Sequence, residues 1–393
     1  MPNTLGNYNP VIYAALALTQ LEKALGLAAR VYRGYDKNPQ QMGSVINLRR
    51  PTYFVAQQMP ISSANTSDLT TDSIAITLDQ WFGVQYGLTD QEFAYAQERI
   101  VNEHIRPAAI AVADKIDISL NGLARQIPWY IPVTATAGIS DIPNVRRRLF
   151  DNQVPLNDVH LEINGEREAF FLSQDAFNRA DASGSAETQQ RGSLGQKFGF
   201  EIFANQNVAA QQAAGSFTVA GGALTVGAAL AVGATSVVLG ASTTSGVLSV
   251  GDIIQIGHTA TTGLSGAARQ AVRNFVVTAA ATVASNAVTV GISPAVSHSA
   301  ASGTSALVKL GSTASYDNLG FHRNFAALAM APLPEVARNL GANVASIADP
   351  ITGLALRVTM WYEGLDAKVY TRIDALWGLK TLDPDMAVRY ISA

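Results

Sequence analysis

Between Thr89 and Arg125 the apolar positions Phe93, Ile100, Ile105, Val112, Ile116, Leu120 and Leu123 recur near helical spacing, while Gln97, Glu98, Asn102 and Lys115 fall largely off that face. Thr89-Asp90-Gln91-Glu92 reads as a capping box, with hydroxyl and carboxylate each satisfying a backbone N–H at the helix start. As one helix, about 35 residues at 1.5 Å per residue would reach roughly 50 Å, long for a compact domain. Pro107 would bend such a beam; the other reading is two shorter packed helices meeting at Pro107.

Upstream, Asn9-Pro10 looks like a cap followed by proline at the first helical position, and Ile12, Leu16, Leu21 and Leu25 predict the buried stripe of an amphipathic arm helix. After a polar connection (Tyr32 to Gln41), Ser44 to Met59 is β-prone through Val45, Ile46, Leu48, Tyr53, Phe54 and Val55, with Pro51 confining it to an edge or bulge. A polar tip, Ser62 to Asp72, leads into a return arm, Ser73 to Tyr86, in which Ile74, Ile76 and Leu78 alternate with Ala75, Thr77 and Asp79. Two arms of about a dozen residues would project roughly 40 Å, and a two-stranded ribbon of that length needs another surface to lie on. A neighbouring subunit provides one; an ordinary hairpin folded on its own domain is the alternative.

Beyond the beam, Asn144 to Phe150 predicts a short helix carrying Arg146, Arg147 and Arg148, read as a solvated or salt-bridged face in preference to a phosphate site. Val159 to Ile163 alternates as a strand, and Glu168 to Arg179 has helical spacing through Phe171 and Ala176. Asp181 to Gly195 reads as a mobile loop; its Asp181–Glu187 portion lacks the alternating carboxylates of a calcium loop.

From Ala210 to Ser312 the composition shifts to Gly, Ala, Ser, Thr and Val, with one acid (Asp252) and three bases (Arg269, Arg273, Lys309). Seven short β-prone runs recur there, near Phe217, Ala223, Ser236, Ile253, Asn274, Ala287 and Ala306, each bounded by small turn residues. That pattern predicts a small inserted barrel or sandwich, against the alternative of a low-complexity linker. Phe321 to Leu328 then predicts a helix ended by Pro332 and Pro334. Leu354 to Tyr362 and Val369 to Gly378 predict a hairpin turning at Glu363–Asp366, on which the beam would pack.

Composition narrows the function. With 393 residues the chain can hold two or three cores, and a net charge of −3 gives neither a polybasic binder nor an acidic tail. It has no cysteine, hence no disulfide, thiolate metal site or cysteine nucleophile. No basic residue precedes the apolar run Val11–Leu18, so no signal-peptide pattern is present, and Gly221 to Gly240 is too interrupted to span a bilayer; the chain reads as soluble. No nucleophile elbow, phosphate loop, zinc-binding helix or dinucleotide fingerprint occurs, and His104, His160, His258, His298 and His322 have no ligand spacing. The expectation is a non-enzyme with no catalytic residue, cofactor or metal.

Leu194 to Val208, Gly251 to Ile256, Ile292-Ser293-Pro294, Phe321 to Ala326 running on to Pro334, and Arg372 to Gly378 resemble, in order, motifs of tailed-bacteriophage major capsid proteins, in the branch with an extra β domain. The resemblance implies an α+β fold of the Hong Kong 97 type. Its parts would be an N-terminal arm (1–43), an extended loop (44–88), a peripheral domain with the spine helix (89–143 and 333–393), an axial domain (144–209 and 313–332) and an inserted β domain (210–312). It further implies a shell of hexamers and pentamers in the virion, assembled in the host cytoplasm with a scaffolding protein and a portal protein, a decoration protein being an optional partner. Packaged double-stranded DNA would be touched without sequence preference, and no membrane is involved. Near-neutral charge suits a wall that contains DNA without clamping it. Arg49, Arg50, Tyr53, Trp81 and Tyr86 are the candidate intersubunit contacts. No residue matches the crosslinking chemistry of some relatives. Two rival readings are a nanocompartment shell around a cargo enzyme, and a β-rich adhesin, which would need a secretion signal.

Overall fold

The computed structural model describes residues 10–33, 45–49, 59, 73–89, 104–132, 140–179, 191–211, 216–257, 272–296, 299–310, 315–348 and 354–392. The connection from residue 34 on, the ribbon tip at 62–72, the upstream half of the predicted beam (90–103) and residues 181–190, with their calcium-like pattern, lie outside these ranges. The chain divides into two compact units: residues up to 50 with 72–120 and 326–380, and residues 51–71 with 121–325 and 381–393.

The first unit is built on a five-stranded sheet. Ala355–Glu363 and Lys368–Thr381 form the predicted antiparallel hairpin, Asn343–Ala348 flanks it, and Ala326–Ala331 and Gln80–Thr89 both join Lys368–Thr381. The arm helix Pro10–Ala24 packs on Asn343–Ala348 and Ala355–Glu363, and the predicted cap Asn9 lies outside the described residues. Its buried face differs from the predicted one. Tyr13, Ala14, Ala17, Leu21 and Leu25 are buried, whereas Ile12 and Leu16 are 44% and 41% exposed. Small residues let the helix approach the sheet closely, and a stripe chosen by large side chains alone misses that.

The long helix runs as α-helix over Arg106–Asn121, following His104 and Ile105 in π geometry, and tightens into a 3-10 turn, Gly122–Gln126. Pro107 therefore lies one residue into the α-helical segment with helical backbone before it, so the helix does not begin at the proline. Ile105, Val112, Ile116, Leu120 and Leu123 are buried as the spacing required. Thr89 ends a strand, opposite Lys368, and the remainder of the predicted capping box lies outside the described residues. Asp117, buried on this helix, accepts from the backbone N–H groups of Leu27 (3.4 Å) and Ala28 (3.0 Å), which start a 3-10 turn and have no partner within it.

Val45–Arg49 and Ser73–Thr77 pair antiparallel, Val45 opposite Thr77 and Arg49 opposite Ser73, which makes the base of a ribbon. Ile74, Ile76 and Leu78 point inward as predicted. The return arm is shorter than expected, however. It breaks at Leu78-Asp79, and from Gln80 the chain becomes a sheet strand.

In the second unit a six-stranded mixed sheet runs in the order Tyr130–Pro132, Ala387–Ser392, Tyr316–His322, Val159–Ile163, Phe200–Ala204, Gln196–Lys197. It includes Tyr130–Pro132 and Ala387–Ser392, which the sequence reading grouped with the peripheral segments. Helices Asp141–Asp151 and Gly165–Ser173 flank a core of Trp129, Val145, Leu149, Phe171, Phe200 and Tyr390. Gly320 is the close-approach position: a Cβ there would collide with Val145 of the first helix. The second helix begins earlier than predicted because the Asn164 side chain caps it, accepting from Arg167 N at 3.2 Å; it stops at Gln174. The predicted helix at Phe321–Leu328 is absent. Tyr316–His322 is a strand, Arg323–Phe325 one 3-10 turn, and Ala326–Ala331 another strand. Residues 326–330 are buried one after another, and such an unbroken apolar run suits a strand covered on both faces as well as a helix.

The inserted stretch is a closed barrel. Each of the seven predicted runs coincides with a strand, and six strands order as Ala306–Lys309, Ile253–Gly257, Val272–Val277, Ala287–Ser293, Ser236–Gly240, Thr225–Val226. Bonds from Val226 N to Thr304 O and from Ala306 N to Leu224 O, both 2.9 Å, join the last strand to the first. Val237, Leu239, Ile254, Phe275, Val288 and Val290 fill the interior. A polar seam ties the barrel to the mixed sheet. Arg273 pairs with Asp385 at 2.8 Å, Asn274 Nδ2 donates to Pro128 O at 3.2 Å, and Arg389 reaches both Gly251 O at 3.2 Å and Asp317 at 3.4 Å.

Candidate intersubunit surfaces

Gln80–Thr89 places two of the five sequence candidates. Trp81 and Tyr86 are five positions apart, so they point to opposite faces of the sheet. On the Trp81 face, the opposing residues of Lys368–Thr381 are Leu376, Asp374, Arg372 and Tyr370. Asp374, 1% exposed, accepts from Arg357 Nε at 3.0 Å and Nη2 at 2.5 Å and from Trp81 Nε1 at 3.0 Å, with Arg372 Nε 3.7 Å away. The fork of Arg357 and the indole N–H offset the desolvation of the carboxylate. Gly83 makes the arrangement possible, since a Cβ there would meet Asp374 Cβ at 2.6 Å. Trp361 stacks on Tyr370 (5.5 Å, 19°), and Arg372 lies 5.7 Å over the Trp361 ring.

The result is a pinned aromatic side chain, Trp81, still 58% exposed, set among arginines and rings. This is the composition and rigidity of a protein contact surface, where Trp, Tyr and Arg carry most of the energy. Beside it, among the described strands, Gln80–Thr89 pairs only with Lys368–Thr381, so the sheet has an outer edge here.

Tyr86 faces the other way. It is half-buried, ring to ring with His104 at 5.5 Å, on the face where Phe82 meets Trp377 (5.5 Å) and Lys115 lies over Phe82 (4.8 Å). Burial pushes its phenol from 10.0 up to about 12. Tyr86 thus packs inside its own unit. Arg49 ends the ribbon strand opposite Ser73, its side chain not described, and Arg50 and Tyr53 lie outside the described residues.

The arginine triplet separates into three environments. Arg146 Nη1 donates to Phe198 O at 2.8 Å, Arg147 is exposed, and Arg148 lies 3.8 Å over the Trp129 ring, where burial lowers its pKa to about 10. Among the described residues no cluster of three or more His, Asp or Glu residues is arranged to hold a metal. The fold does bring His160 and His322 onto adjacent strands, with His160 Nδ1 3.0 Å from Glu201 and burial lowering the His322 pKa. Among the described residues no helix is long and apolar enough to cross a membrane.

The sequence motifs could not have located Asp374 as the organiser of the Trp81 face; the one trace is the alternation of polar positions 357, 372 and 374 within otherwise apolar strands.

No protein-family model matches this chain, and no curated protein matches it in sequence. Solved structures do match. One from Mycobacterium phage Che8 aligns over 93% of this chain and 90% of its own, with a TM-score of 0.50 and 12% identity. The capsid of cyanophage P-SCSP1u aligns over 93% and 86% (TM-score 0.47, 10% identity), and the capsid of Ralstonia phage GP4 over 93% and 88% (TM-score 0.45, 8% identity). The chain has the Hong Kong 97-type fold of tailed-bacteriophage capsid proteins, with mixed α and β structure in several sheets.

Proposed function

We propose that this chain is the major capsid protein of a tailed bacteriophage, many copies of which assemble with a scaffolding protein into a closed icosahedral shell around double-stranded DNA. The observation that carries this reading is the fold likeness to a phage protein over nine-tenths of both chains. The pinned, exposed Trp81 and the outer strand edge beside it support it, because a tile needs surfaces that its own fold leaves uncovered. In this reading the ribbon whose base is Val45–Arg49 paired with Ser73–Thr77 reaches a neighbour, the first unit serves as the peripheral domain, and the mixed sheet of the second unit serves as the axial domain. The protein works by shape and association, not by catalysis.

Electron microscopy of the full chain, expressed alone and with the scaffolding protein of the same phage, tests the reading. Closed shells of uniform diameter are expected. Shells that co-purify with an enzyme would reassign the chain to a nanocompartment. A single-molecule species at high concentration in both preparations would overturn the shell role.

A further inference from the structure

A second surface lies in the second unit. Pro143, Arg146, Arg147 and Phe150 stand at i, i+3, i+4 and i+7 of helix Asp141–Asp151 and so form one stripe. With Leu156 and Phe198 they line an open groove of about 590 Å³. Phe150 and Phe198 are 61% and 45% exposed, large for aromatic side chains. The groove is also preformed. Phe198 and Gly199 are the two turn residues between paired strands Gln196–Lys197 and Phe200–Ala204, with φ of 51° and 82°. Such a turn favours Asn, Asp or Gly at its first position, and a phenylalanine there is a strained choice. Arg146 holds the turn through Phe198 O, and Phe177 holds the ring edge-on at 6.2 Å.

The rim is cationic, so two copies of the groove would repel if they met face to face. An occupant must bring an apolar knob flanked by carboxylates. This chain carries one. The hairpin turn after Ala355–Glu363 presents Leu365, at 95% the most exposed large apolar side chain among the described residues, between Glu363 and Asp366. Tyr370 Oη donates to Asp366 Oδ2 at 3.2 Å and steadies the turn.

We propose that the Leu365 turn of one copy seats in the Phe150–Phe198 groove of a second copy, with Glu363 and Asp366 against Arg146 and Arg147. Knob and groove are different surfaces, so the contact is heterologous, the kind that builds rings and lattices and not isolated two-fold dimers. The inference rests on the shell reading and adds one of its interfaces.

The absence of cysteine makes the test direct. Full-length Phe150→Cys and Leu365→Cys chains are assembled as a mixture and oxidised. A disulfide-linked species of twice the chain mass is expected from the mixture, and from neither chain alone. Arg147→Glu should lower the yield of closed shells at least tenfold, and adding Glu363→Lys and Asp366→Lys in the same chain should restore it. Shells that form from the mixture without any crosslink, or an Arg147→Glu chain that assembles like the unaltered one, would overturn the knob-and-groove contact while leaving the shell role standing. Failure of the unaltered chain to form shells would sink the shell reading, and the contact with it.

Discussion

The inserted barrel and the five-stranded sheet of the first unit treat their edges in opposite ways. The barrel joins its last strand to its first through Thr304 and Leu224 and turns Val, Ile and Leu inward at alternate positions. The other sheet has Gln80–Thr89 at its margin, with Trp81 and Phe82 58% and 40% exposed. Closure removes the barrel's free strand edges, although Val232 and Leu307 stay 68% and 66% exposed on its outside. Under the proposed shell role, the open margin with its pinned tryptophan is where a neighbouring copy would bind. Under that same role, the contrast teaches where to look for folding energy and where for assembly energy.

The largest effect should follow from opening the barrel. Phe275, 3% exposed, is one of two phenylalanines in its core among the described residues, and Phe275→Ala should cost about 3–5 kcal/mol of stability through lost burial and the residual cavity. Thermal unfolding of the isolated chain measures it. Assembly should fail only in proportion to the unfolded fraction; a Phe275→Ala chain with unaltered melting that no longer assembles would erase the division between the two regions.

Trp81→Ala should do the reverse. The substitution removes one hydrogen bond to Asp374, which keeps its two bonds from Arg357, so monomer stability should fall by only about 1 kcal/mol. Loss of an exposed, rigid aromatic from a contact typically costs 2 kcal/mol or more per interface, so shell yield should drop at least tenfold. Equal losses in melting and assembly would mean that Trp81 serves its own fold alone.

The two regions were also unequally legible in the sequence. The barrel could be read because its alternation is local: Val288, Val290 and Ile292 announce a strand with no knowledge of what they face. The Trp81 face could not, because its organiser, Asp374, meets Arg357 and Trp81 across sequence separations of 17 and 293 residues. Helix faces failed for a related reason. The arm helix is apolar on two sides, and only the close fit of Ala14 and Ala17 to the sheet decides which side is buried. At Phe321–Leu328 the local sequence suits a helix, and burial of residues 326–330 one after another makes a doubly covered strand there instead. The groove at Phe150 was invisible because its second wall, the turn at Phe198, lies 48 residues further on.

The smallest effect tests the covered face of the same sheet. Burial raises the Tyr86 phenol from 10.0 to about 12, against a weaker lowering influence from Thr371, and Tyr390 in the second unit is raised as well. A phenol held protonated by the fold ionises first in the unfolded chain, so unfolding releases a proton above pH 10. The stabilisation is therefore complete below pH 10 and is lost progressively as pH rises toward 12. Tyr86→Phe keeps the ring beside His104 and removes the ionisable group. Its melting temperature should match the unaltered chain at pH 7 and fall less steeply between pH 10 and 12, with the remaining decline assigned to Tyr390. An equally steep alkaline decline in Tyr86→Phe would show that this face is open to water, and the sheet would then have two exposed sides in place of one.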